Sequence, residues 1–162
     1  MQADILRHYA VYEFHPVVSK LQQYCSEDLG GFYLDVLKDR LYTTAEKSVA
    51  RRSAQTALHH ITHAMLRWMA PFLSFTAEEA WATPNATGKP FGSAQSIFFE
   101  TYSDLPAPEQ ALMQKWQRLL DIRAAANKEI EAVREQGQVG SSLQANLHIT
   151  AAAEDMALLQ SL

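Results

Sequence analysis

The sequence predicts a mainly α-helical fold, a bundle of four to five helices with a short α/β piece at its C-terminal end. Three observations carry this. Residues 49–70 and 106–135 repeat apolar side chains at steps of three and four, the period of a helix face. Turn-forming residues gather between such segments rather than within them. Only residues 145–150 alternate as a strand does, and residues 154–162 read as helix again.

Residues 4–28 read as helix from nearly the first residue, with Leu6, Tyr9, Val17, Leu21 and Tyr24 on one face. Pro16 interrupts this pattern, so either a kink or a helix starting near His15 is expected. Gly30 and Gly31 offer the backbone freedom of a helix stop. A short helix over residues 32–42 would turn Phe32, Val36 and Leu37 inward and Asp35, Lys38 and Asp39 outward. After a polar connector, Ser48 is a natural cap for the longest helix. The stripe of that helix is Ala54, Ala57, Leu58, Ile61, Met65, Trp68 and Met69, and Pro71 ends or bends it. Thr76 with Glu79 three residues on predicts a capping box for a short helix through Trp81. Residues 83–96 hold Pro84, Asn85, Gly88, Pro90 and Gly92 and read as a surface loop. Residues 97–102 read as a strand or a buried extended segment. Leu112, Trp116, Leu119, Ile122, Ala126, Ile130 and Val133 form the stripe of the last long helix, which Gly137 stops. All three tryptophans fall on apolar positions and are expected in the core. A lone strand cannot make a sheet, so the chain is expected to divide into a helical bundle, residues 1–135, and the start of a further strand–helix segment, residues 136–162.

Composition narrows the function classes. With 48% hydrophobic and 20% charged residues, the 162-residue chain is neither disordered nor collagen-like. A single cysteine, Cys25, excludes an internal disulfide and fits a reducing compartment. No apolar run is long enough to span a membrane, and the N-terminus has no signal-peptide pattern, so a soluble, cytoplasmic protein is expected.

Candidate chemistry is thin. His59 and His63 have the four-residue spacing of a metal pair, but His60 stands where a zinc-protease motif has its glutamate, and no third ligand is evident. These histidines read as solvated or interfacial. Cys25 lacks a visible base partner and reads as a buried or half-buried structural thiol. Glu78 and Glu79 point apart on a helix and read as favourable charge at its N-terminus. The Gly30-Gly31 pair lacks the Lys-Ser/Thr of a phosphate loop. The sequence therefore predicts no catalytic residue and no bound metal.

Charge distribution is more informative. The net charge of −4 speaks against a nucleic-acid partner. Residues 38–67, however, hold six basic residues (Lys38, Arg40, Lys47, Arg51, Arg52 and Arg67) against two acidic ones, Asp39 and Glu46. Arg51 and Arg52 fall in the first turn of the long helix, where the helix dipole disfavours cations. Either an anionic partner or pairing with Asp35 or Asp39 would account for them. Tyr42 beside Arg40 adds an aromatic suited to stacking on an unpaired base. Lys38, Arg40, Tyr42, Lys47, Arg51 and Arg52 are the candidate RNA-binding residues.

The segment Phe32-Tyr-Leu-Asp-Val-Leu-Lys-Asp-Arg-Leu-Tyr42 resembles a signature of isoleucyl-tRNA synthetases. So do Ser48-Val-Ala-Arg-Arg-Ser-Ala-Gln-Thr-Ala-Leu58, Arg67-Trp-Met-Ala-Pro-Phe-Leu-Ser-Phe-Thr-Ala-Glu-Glu-Ala-Trp81, Leu120-Asp-Ile-Arg-Ala-Ala-Ala-Asn-Lys-Glu-Ile130 and Gly140-Ser-Ser-Leu143. The Phe-Tyr-Leu-Asp and Lys-Asp-Arg combination leans toward the bacterial isoleucyl type within the isoleucyl, valyl and leucyl group. The resemblance implies a helical anticodon-binding domain whose partners are a tRNA anticodon stem-loop and the rest of a synthetase chain. It also implies a parent enzyme that ligates isoleucine to tRNA with ATP. The ATP-site motifs, an editing domain and the C-terminal zinc module of many bacterial members are absent from this sequence. ATP and zinc are thus expected only in other parts of a longer parent, with no cofactor here. The competing expectation is a structural or protein-interaction bundle, its basic band closed by Asp35, Asp39 and Glu46.

Overall fold

The structure is a computed structural model that describes residues 1–83 and 95–162. It is mainly helical, with no strand among the described residues. Most of the expected loop over residues 83–96 lies outside the described residues. The chain forms two compact units, Met1–Asp104 and Leu105–Leu162.

In the first unit, α1 (Gln2–Ala10) and α2 (Phe14–Gln23) are separate helices. The break is a tight turn in which Tyr12 takes a positive φ of 59° and the Glu13 amide donates to the His8 carbonyl at 2.9 Å. Pro16 lies in the first turn of α2, where its missing N–H has no helical partner to lose.

The glycine pair does not stop the chain, contrary to expectation. The segment Tyr24–Tyr33 is π-helical and runs through Gly30 and Gly31 into α3 (Leu34–Tyr42). The Leu34 amide donates to the Leu29 carbonyl, an i to i−5 bond. A Cβ at Gly30 would stand 3.1 Å from the Cys25 carbonyl oxygen, and one at Gly31 would stand 3.3 Å from that of Ser26. The glycines thus permit close backbone approach in the wider helix rather than supplying a left-handed cap. In α3 Leu37 is buried, but Val36 is half exposed and not an inward residue.

The scaffold is α4 (Val49–Met69). Ser48 caps it as expected, its Oγ accepting from the Arg51 amide at 3.2 Å. The second half of α4 is buried on two sides. Ala64 and Trp68 pack with Ile5, Val17 and Leu21 of α1 and α2. Leu66 and Ala70 pack with Ala77, Trp81 and Ile97. Trp68 keeps its indole N–H bonded to Gln2 Oε1 at 2.9 Å, and its carbonyl accepts from the Tyr9 hydroxyl at 2.6 Å. Burial pushes the Tyr9 hydroxyl well above the usual phenol range.

The next helix, α5 (Ser74–Ala82), starts before Thr76, so the expected capping box does not form. The Glu78 carboxylate instead accepts from Ser96 Oγ and the Ile97 amide, both at 3.0 Å. It holds down a 3-10 turn, Ile97–Phe99, in which Ile97 is buried. Further along, Glu100 accepts from Arg67 at 2.6 Å, with the guanidinium 5.0 Å from the Trp81 ring.

The second unit contains α6 (Gln110–Glu135), a 3-10 turn (Ser142–Gln144) and α7 (Ala153–Gln160). The first long helix of this unit starts at Gln110, not near Pro106. Gly137 follows its end with φ of 71°, as a helix stop requires. Only Leu119 of the α6 stripe is fully buried, and Trp116 is 40% exposed, so Trp116 is not a core residue. Arg118 forks onto Asp155 of α7 with bonds of 2.7 and 2.6 Å. The guanidinium holds the Asp155 carboxyl below the ordinary carboxylate range. Residues 145–150 form no strand, so the expected C-terminal α/β piece is absent. Alternating side chains make a ladder only beside a second strand, and the described residues supply none.

Candidate nucleic-acid interface

The basic residues singled out from sequence gather at one corner of the first unit, where α3 ends and α4 begins. Thr43 closes α3, its amide and hydroxyl both donating to the Asp39 carbonyl, at 2.9 and 2.6 Å. The chain then turns through residues 44–48 and enters α4 under the Ser48 cap. Lys38, Arg40 and Tyr42 therefore come from the last turns of one helix, Arg51 and Arg52 from the first turn of the next, and Lys47 from the link.

Their exposure differs. Lys38, Arg40, Lys47 and Arg52 are exposed, and Tyr42 is 80% exposed. Arg51 is half-buried, and its Nη1 donates to the Thr44 carbonyl at 3.4 Å.

The carboxylates that could close this corner mostly do not. Asp35 accepts from Lys38 at 2.7 Å, and that bond raises the lysine's affinity for its proton. Among the described residues, Asp39 and Glu46 form no ion pair, and no carboxylate pairs with Arg40, Lys47, Arg51 or Arg52. The corner keeps an excess of positive charge beside an exposed phenol ring. Such a surface attracts phosphate and offers a face to an unstacked base. Arg67, the sixth basic residue of the band, is spent on Glu100 and lies with the core.

His59 and His60 are exposed and His63 is half-buried, with the His59 and His63 rings 4.2 Å apart. His63 lies 5.2 Å from the Trp81 ring, and its Nδ1 is 3.2 Å from Arg67 Nη1. Among the described residues no three His, Cys, Asp or Glu side chains are arranged to hold a metal. Cys25 is exposed, not buried, because the π-helical segment turns it outward. No helix among the described residues is long and apolar enough to cross a membrane. Thr44, whose carbonyl accepts from Arg51, carries no charge or motif that marks it in the sequence.

Comparison with known proteins gives a consistent picture. The family described as "Anticodon-binding domain of tRNA ligase" matches residues 1–149. An isoleucine–tRNA ligase of Cupriavidus pinatubonensis is 61% identical over 164 aligned residues, covering 100% of this chain and 17% of that protein. An isoleucine–tRNA ligase of Ralstonia pickettii is 60% identical over 93% of the chain, and one of Paraburkholderia phymatum is 57% identical over all of it. The chain spans about a sixth of the length of these curated relatives, 16–17%.

Proposed function

The chain belongs to the family of anticodon-binding domains of tRNA ligases, and from that premise we propose that it holds the anticodon stem-loop of a tRNA for an isoleucine–tRNA ligase. The observation that carries this reading is the uncompensated corner formed by Arg40, Tyr42, Lys47 and Arg52, with Lys38 and Arg51 beside it. An anticodon loop presents unstacked bases to an aromatic face, and its stem presents phosphates to arginine and lysine. On this reading ligation of isoleucine with ATP belongs to a longer, cytoplasmic polypeptide. ATP and zinc are held elsewhere in it, and no group of this chain enters the chemistry.

With a net charge of −4 over the whole chain, affinity should be modest and steeply salt-dependent, because the remaining surface repels RNA. Titrating an isoleucine tRNA and a non-cognate tRNA against the 162-residue chain at two salt concentrations tests the reading. A variant with Arg40→Ala and Arg52→Ala should bind several-fold more weakly at low salt, and its salt slope should fall by about 1 to 2. Unchanged binding by that variant would refute the corner as the contact surface, and no binding by the unmodified chain would refute the proposal in favour of a purely structural bundle.

A further inference from the structure

From residue 42 to residue 53 the surface is almost wholly exposed, and the polar exceptions are Thr44, Ser48 and Arg51, all half-buried. These three are bonded to one another. Thr44 Oγ1 donates to the Arg40 carbonyl at 2.6 Å and accepts from Ser48 Oγ at 3.2 Å. Ser48 Oγ in turn accepts from the Arg51 amide at 3.2 Å. Arg51 Nη1 reaches back to the Thr44 carbonyl at 3.4 Å, while its buried Nε has no acceptor. The contact of this guanidinium with the protein therefore runs through the link. Thr44 sits at the centre of the loop of bonds, touching α3 through one carbonyl and α4 through the cap.

We infer that Thr44 is a positioning residue for the corner, with Arg51 as its pin, so that the two set the directions in which Arg40, Tyr42 and Lys47 are offered to RNA. The inference rests on the RNA-binding reading and divides the labour within it. The exposed cations contact phosphate. Thr44 carries no charge and Arg51 lies beneath the link, so both act through geometry. Neutralising a phosphate contact lowers the dependence of binding on salt, whereas loosening the frame weakens binding and leaves that dependence in place.

The test uses the full 162-residue chain and five forms: unmodified, Thr44→Val, Thr44→Ser, Arg51→Ala and Arg52→Ala. Affinity for tRNA is measured across a salt series, amide hydrogen exchange is followed at residues 43–48, and melting confirms that each form is folded. Thr44→Val and Arg51→Ala should weaken binding about 3- to 10-fold, the worth of about one net hydrogen bond. Their salt slopes should match the unmodified chain, and exchange in the link should quicken. Thr44→Ser keeps the hydroxyl and should restore both readouts. Arg52→Ala should lower the slope and leave exchange unchanged. Tight binding and slow exchange in Thr44→Val would overturn the positioning role while leaving the RNA reading intact. A lowered slope with unchanged exchange in Arg51→Ala would make Arg51 a phosphate contact and remove the pin. Absence of tRNA binding by the unmodified chain would refute the RNA reading and the positioning role with it.

Discussion

The two compact units treat their tryptophans in opposite ways. In Met1–Asp104, Trp68 and Trp81 are 5% and 1% exposed, held between helices that approach α4 from two sides. In Leu105–Leu162, Trp116 is 40% exposed on a helix whose apolar stripe has one fully buried member. The two stripes look equally good in sequence. A stripe is only half of a contact, and burial depends on how many neighbours arrive to cover it. The first unit has α1, α2 and α5 for that purpose, whereas the second has one short helix beside the long one.

The sharpest way to break this comparison is truncation of the tryptophans. Trp81→Ala should destabilise the first unit by about 3–5 kcal/mol, the cost of emptying a packed aromatic site. Trp116→Ala should cost about 1 kcal/mol, since much of the ring is already in water. Urea unfolding followed by far-ultraviolet circular dichroism would read both, and equal losses would show that the units are packed alike.

A smaller effect is expected at the ion pair that fastens residues 97–103 to α4. The side chains of Arg67 and Glu100 are 13% and 17% exposed. Arg67→Ala leaves the Glu100 carboxylate without its partner and removes the cation from the Trp81 face, for about 2 kcal/mol. Arg67→Ala with Glu100→Gln should recover part of that loss, because no charge is then stranded. A double variant no better than the single one would assign the cost to lost packing of the arginine stem.

The smallest effect belongs to the second unit. Arg118 holds the Asp155 carboxyl below its ordinary range, so the pair contributes to stability above that range. The contribution fades as pH falls through the ordinary carboxylate values, below roughly pH 5, and is gone below the lowered value. In Arg118→Ala the Asp155 carboxyl should titrate back in the ordinary range, as NMR of its side chain would show. An unmoved midpoint would mean that the pair is not what lowers it.

Periodicity and punctuation made the helical elements legible. Ser48 as a cap, Gly137 as a stop and the long stripe of α4 are local features, decided by bonds within one turn or by the φ of one residue. The candidate interface was legible for a similar reason, because its charges are close neighbours along the chain. Misreadings arose where the pattern of residues did not show which partner the backbone or side chain would take, near or far along the chain. Gly30 and Gly31 read as a stop, but the chain uses them to pass a carbonyl five residues back. Glu78 read as a helix-end charge, but it holds the Ile97 amide nineteen positions away. Residues 145–150 read as a strand, and a strand exists only beside another.

The amino-acid sequence by itself determined that the chain is helical, where its long helices run, and that its positive charge collects between Lys38 and Arg67. Which of those charges remain available was decided by the folded chain, through bonds within a helix or across its cap for Lys38 and Arg51, and by tertiary contact alone for Arg67. Arg67 is claimed by Glu100, Lys38 by Asp35 and Arg51 by the Thr44 carbonyl, while Arg40, Lys47 and Arg52 face solvent. Charge is a property of a residue, but its availability depends on the acceptors that folding brings within about 3 Å.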